Sequence, residues 1–130
     1  FFTWEEYEKI TFKMLEMIDL PDAINAIYAN GEYPNDLPFE ESWRKPNPNM
    51  ILKAAKDFKI DLSNSILIGD RLSDIKSGEE AGIGTSIHLL TGHGFDERSK
   101  VNELYKKKSK VFNVALIDDL SSFKAEEFLK

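Results

Sequence analysis

Ser65-Ile66-Leu67-Ile68-Gly69-Asp70-Arg71-Leu72-Ser73-Asp74 is the stretch on which the fold turns. A short apolar, β-branched run that stops at Gly-Asp predicts a buried parallel strand over residues 65–69. That strand delivers Asp70 to the carboxyl edge of a sheet, where open α/β folds place their chemistry. Asp74 then falls near the N-terminus of a helix over residues 72–81, which Gly82 ends. A plainer reading makes Gly69-Asp70 an ordinary strand-to-helix turn and Asp74 a surface residue. Arg44-Lys45-Pro46 upstream and Ala81-Gly82-Ile83-Gly84 downstream add weight to the first reading.

Upstream, Thr3-Trp4-Glu5-Glu6 is a capping-box pattern and predicts a helix to about Ile18. Residues 23–29, with Ile24, Ala26, Ile27 and Tyr28, read as a strand, although so short an apolar run also fits a helix. From residue 30 to 49 the composition shifts to Pro34, Pro38, Pro46 and Pro48 with Gly31, a long loop of the kind that usually carries function. Pro48 can open a helix whose apolar side is Met50, Leu52, Ala54, Ala55 and Phe58 and which runs to about Lys59. Residues 61–64 are a turn into the strand described above. Residues 85–90 and 111–117 read as two more strands, separated by a Gly-containing loop and a charged segment. Residues 118–121 lead into a terminal helix carrying Phe123, Phe128 and Leu129.

Strands alternating with helices predict an α/β fold, a Rossmann-like parallel sheet with helices on both faces. The helix that starts near Thr3 has no strand before it, a missing unit in a doubly wound fold. The chain also opens on Phe1-Phe2-Thr3 rather than Met, as if it began within a larger protein.

The length of 130 residues fits one small domain. A net charge of -6 and a pI near 5.0 argue against a general nucleic-acid surface, while leaving room for a local basic pocket for a phosphorylated small molecule. The dense basic run Lys106-Lys107-Lys108 with Lys110 reads as a solvated helix end or loop. The absence of cysteine excludes disulfides and thiolate metal sites and makes an intracellular, cytoplasmic setting the default. No apolar run approaches the roughly 18 residues of a membrane span, and no signal-peptide pattern opens the chain.

Taken in order, Arg44-Lys45-Pro46-Asn47-Pro48-Asn49-Met50, Ile60-Asp61-Leu62-Ser63, Ile68-Gly69-Asp70-Arg71 with Asp74, Ala81-Gly82-Ile83-Gly84 and Leu90-Thr91-Gly92-His93-Gly94 carry a resemblance. The sequence resembles the haloacid dehalogenase (HAD) superfamily of phosphatases, in the branch of D-glycero-D-manno-heptose 1,7-bisphosphate and histidinol phosphatases. The likeness runs from the first helix to about Gly94. It implies an HAD-like fold in which residues 1–130 are the C-terminal part of a single phosphatase domain. It also implies a Mg²⁺-dependent enzyme of sugar-phosphate metabolism, serving surface-polysaccharide (lipopolysaccharide) precursor synthesis, whose partner is a small phosphorylated sugar.

In such phosphatases an aspartate attacks the phosphoryl group, water hydrolyses the aspartyl-phosphate, and Mg²⁺ bridges carboxylate and phosphate. By resemblance, Lys45 neutralises the nucleophile and phosphate oxygens, a point-charge role that suits an ammonium on a long stem. Arg44 grips substrate as a bidentate donor. Asp70 is the Mg²⁺-binding carboxylate, a hard ligand for a hard cation. Arg71 stands where the branch commonly has a lysine near substrate. Asp74 is the second acid of the motif, orienting Lys45 or metal-bound water. The plainer readings are a surface lysine before proline for Lys45 and a solvated ion pair for Arg44. His88, alternating with apolar residues, reads as structural; His93 reads as a loop residue or a substrate contact.

Two departures stand beside the matches. No Asp-x-Asp occurs in the chain, and Asp118-Asp119-Leu120 has the wrong spacing, so the expected nucleophile lies outside these residues and the 130 residues alone are expected to be inactive. The loop over residues 30–43 lacks the cysteines and histidine that hold structural zinc in many heptose bisphosphate phosphatases. Zinc is therefore not expected, and the loop is held by its prolines, by Trp43 and Tyr33 packing, or not at all. Alternative readings are a non-catalytic module that binds a phosphorylated ligand or partner through Arg44 and Lys45, a histidinol-phosphate phosphatase, and an unrelated doubly wound domain.

Overall fold

A computed structural model describes residues 3–20, 22–106 and 112–129. Helix α1 (Trp4–Ile18) starts on a complete capping box: the Thr3 hydroxyl accepts from the Glu6 amide, and the Glu6 carboxylate reaches back to the Thr3 amide. An irregular stretch follows as far as α2 (Asn49–Phe58). A 3₁₀ turn (Leu62–Asn64), capped by the Asp61 carboxylate, feeds β1 (Ile66–Gly69). Then come α3 (Leu72–Ala81), β2 (Thr85–Leu89), α4 (Gly94–Tyr105) and β3 (Asn113–Ile117).

The three strands form a parallel sheet in the order β1-β2-β3, with Gly69 opposite His88 at the last β1–β2 pair and Leu89 opposite Ile117 at the last β2–β3 pair. The result is an α/β fold with a parallel sheet flanked by helices, as the alternation predicts. Parallel pairing demands long crossovers, which α3 and α4 provide. Helix α3 packs on β1 and β2 and touches α2 and α4. Ile75 of α3, Ile87 of β2 and Val101 of α4 are wholly buried where these layers meet. Each such side chain contributes about 1.5–3 kcal/mol relative to exposure. The middle strand β2 is buried at Ser86, Ile87, His88 and Leu89, whereas β1 forms an edge of the sheet.

Three expectations need correction. Residues 23–29 form no strand: the segment has no ladder partner among the described residues, and an extended run without one is not a strand. The charged segment after Gly92 is helix α4, whose inward residues are Gly94 and Val101, too few to show as an apolar stripe. The terminal helix is instead two 3₁₀ turns, Leu120–Ser122 and Ala125–Glu127, with the Asp119 carboxylate engaging Ser121 and the rings of Phe123 and Phe128 stacked 5.8 Å apart. Lys107, Lys108, Lys110 and Val111 lie outside the described residues, as do Phe1 and Phe2, so most of the basic run and the start of the last predicted strand fall there. No residue of α1 is buried, and Phe12 and Met17 are more than two-thirds exposed, at 71% and 75%. No described helix is long and apolar enough to cross a membrane.

Candidate active site

Strand β1 runs out at Gly69, which sets Asp70 at the carboxyl edge, and α3 begins two residues later, which sets Asp74 in its first turn. The Asp74 carboxylate folds back over this junction, and one oxygen accepts the Arg71 amide at 2.9 Å. A side chain at position 69 would meet it, because a Cβ there would lie 2.6 Å from Asp74 Oδ2. Glycine at 69 is thus what lets Asp74 close on the strand end.

Lys45 arrives from the irregular stretch, and its ammonium pairs with the other oxygen of the nearly buried Asp74. Lys45 and Asp74 are thus joined directly, ammonium to carboxylate. Asp70 is held from the opposite side: its carboxylate accepts the His93 amide at 2.7 Å, and Gly92, at φ 61, leaves room for it. Burial alone would raise the Asp70 carboxyl. The His93 amide, its own amide and the Arg71 charge outweigh burial and hold it below the usual range, so it is ionised at neutral pH. Arg71 donates to His93 Nε2, which ties the α3 entry to the Gly92–His93 turn. Arg44 does not join this group; it is exposed and donates to the Glu32 carbonyl at 3.2 Å. Arg44 borders a cavity of roughly 610 Å³ with Trp4, Tyr7 and Tyr33.

Sequence reasoning missed Glu97, Arg98, Glu32 and Asn47. Glu97, from α4, accepts the Leu72 amide at 2.6 Å and so caps α3 from another helix. Arg98, partly buried, donates to the buried His88 ring, which in turn bonds the Asp70 carbonyl. Glu32 ties the loop that follows it through its own carboxylate. Its carboxylate accepts the Ser42 hydroxyl at 2.6 Å and the Trp43 amide at 3.0 Å, a link across eleven residues. Trp43 does contact Tyr28, with ring centroids 6.1 Å apart. Asn47, 3% exposed, donates to the Phe39 carbonyl and accepts the Asn49 amide. The only local signal for Glu32 is an acid among turn residues, which does not single it out.

The hydrogen bond from Ser42, then that from Trp43, lowers the Glu32 pKa. The clasp therefore contributes stability that is fully present above the ordinary glutamate value of about 4.3 and is lost as pH falls through the lowered folded value. Hydrogen exchange at the Trp43 amide should accelerate beyond its intrinsic pH dependence in that acid window, and Glu32→Gln should flatten the effect. Protection that stays constant through the window would contradict the clasp.

Among the described residues no group of three or more His, Cys, Asp or Glu side chains is arranged to hold a metal. Asp70 supplies one ionised hard oxygen donor at the edge. That fits part of a Mg²⁺ shell, since Mg²⁺ keeps several waters and takes one or two carboxylates plus substrate phosphate.

Fold and site define an α/β domain that gathers acid and lysine at the carboxyl edge of a parallel sheet. The chain belongs to the HAD-hydrolase-like family, whose profile matches residues 42–120, more than half of its length. It is 54% identical over 48 residues to a D-glycero-alpha-D-manno-heptose-1,7-bisphosphate 7-phosphatase of Burkholderia mallei, covering 37% of this chain and 25% of the relative. It is 34% identical over 92 residues to the D-glycero-beta-D-manno-heptose-1,7-bisphosphate 7-phosphatase of Pasteurella multocida, covering 71% and 48%. The match thus spans less than half the length of either relative. Among solved structures, D,D-heptose 1,7-bisphosphate phosphatase from B. bronchiseptica, complexed with magnesium and phosphate, superposes with a TM-score of 0.77 at 23% identity. That superposition covers 97% of this chain and 64% of the other and shows the shared fold.

Proposed function

We propose that this chain carries the magnesium- and substrate-binding part of a phosphatase acting on a small sugar phosphate, D-glycero-D-manno-heptose 1,7-bisphosphate being the favoured substrate. The attacking aspartate of the proposed aspartyl-phosphate lies outside these residues. The observation that carries this reading is the meeting of Lys45, Asp74 and Asp70 around the end of β1, at an edge of the sheet. In this role Lys45, oriented by Asp74, offsets the charge of the phosphoryl oxygens. Asp70 holds Mg²⁺, which when bound supplies Lewis-acid neutralisation of the transferring phosphoryl group. Arg44 and Arg71 grip substrate from the loop and from the α3 entry. The relatives matched by sequence are named for this substrate in both anomeric forms, so the anomer is left open.

Phosphate release from heptose 1,7-bisphosphate tests the proposal. The 130 residues alone should show no Mg²⁺-dependent turnover. A protein that joins them to a preceding strand bearing Asp-x-Asp should turn over, and Asp70→Asn in it should depress kcat by about 100-fold, the scale of a damaged metal site. Turnover by the 130 residues alone that EDTA abolishes would show that the nucleophile lies within the chain.

A further inference from the structure

His88 is wholly buried in the middle strand, and its ring makes two directed bonds. Nδ1 lies 3.0 Å from Arg98 Nε, and Nε2 lies 3.0 Å from the main-chain oxygen of Asp70. A guanidinium can only donate, so Nδ1 must accept and Nε2 must carry the proton, which it donates to the Asp70 carbonyl. Arg98 also donates to the carbonyls of His88 (3.1 Å) and Ile117 (2.6 Å), tying the ends of β2 and β3 together. The β1 ladder stops at Gly69, opposite His88. The next carbonyl, that of Asp70, has left the ladder, and the His88 ring takes it up.

We infer that Arg98 and His88 are positioning residues: through the Asp70 carbonyl they fix the main chain from which the Asp70 carboxylate projects out of the sheet edge. The inference rests on the reading of Asp70 as a magnesium-holding carboxylate. Removing the Nε2–H leaves the Asp70 peptide free to rotate, and the carboxylate loses its aim.

The ¹⁵N-labelled chain, joined to a preceding strand bearing Asp-x-Asp, allows both to be tested. Long-range ¹H–¹⁵N spectra should show His88 as the Nε2–H tautomer, and Mg²⁺ titrations followed at the Asp70 and Arg71 amides give an affinity. Asp70→Asn should weaken Mg²⁺ binding. His88→Leu should weaken it by about 10-fold, the lower end of the effect of losing a partner that orients a ligand. His88→Gln, whose amide can still donate to the Asp70 carbonyl, should restore most of it. Circular dichroism confirms folding of each variant. If the leucine variant does not fold, Arg98→Met tests the same link: His88 should lose its single tautomer and Mg²⁺ affinity should fall. An Nδ1–H tautomer in the unaltered chain, or folded His88→Leu or Arg98→Met binding Mg²⁺ as well as the unaltered chain, overturns the positioning role. An unaltered chain that does not bind Mg²⁺, or Asp70→Asn binding as well as the unaltered chain, overturns the reading of Asp70 itself.

Discussion

Gly94→Ala is expected to lower unfolding stability by about 3 kcal/mol or more, the range of overpacking against atoms that cannot move aside. A Cβ at this position would overlap the Leu89 carbonyl oxygen and lie 2.8 Å from the carbonyl carbon, both main-chain atoms at the end of the middle strand. A flexible side chain could swing away; a ladder strand cannot. Gly94 opens α4, and its amide closes the preceding turn on Thr91. Displacing it would carry off His93, which donates to Asp70, and Glu97, which caps α3. Urea denaturation followed by circular dichroism measures the effect, and an unchanged midpoint would show that α4 can shift without cost.

Asp74→Ala should cost about 2–3 kcal/mol, combining the loss of a helix cap with that of a partly buried ion pair. Its carboxylate is the acceptor for the Arg71 amide and the partner of Lys45, and its side chain is only 10% exposed, against 50% for Lys45. The lysine can turn to water, so the loss stays below that of a fully buried pair. Asp74→Asn separates the two contributions. The amide oxygen can still accept from Arg71, so about half of the loss should return, while Lys45 stays unpaired. Denaturant midpoints of the two variants give the split. Equal losses would mean that the charge, not the cap, carries the effect.

The local rules that work here act within a few residues. The run Ile66-Leu67-Ile68-Gly69 and the stop at Gly82 place β1 and α3, because a β-branched strand and a left-handed terminator, at φ 86, are encoded where they act. Thr3 and Glu6 do the same for α1. Residues 23–29 show the limit. Their composition suits a strand, but a strand needs a neighbour, which no local pattern supplies. The site divides in the same way. Asp70 and Asp74 are legible because one turn of chain sets their spacing, and the motif order draws attention to Lys45. Glu97, Arg98 and Glu32 act across 25, 10 and 11 residues respectively. Each resembles an ordinary surface charge until the fold brings its partner alongside.

The position of β1 at the edge of the sheet sets a length scale for whatever meets Asp70. Its outer row of amide and carbonyl groups is a template for one more strand. Neighbouring strands lie about 4.8 Å apart. A group ending a strand laid along β1 would therefore stand about 4.8 Å from the main chain of Asp70, with the pairing of main chains serving as the ruler.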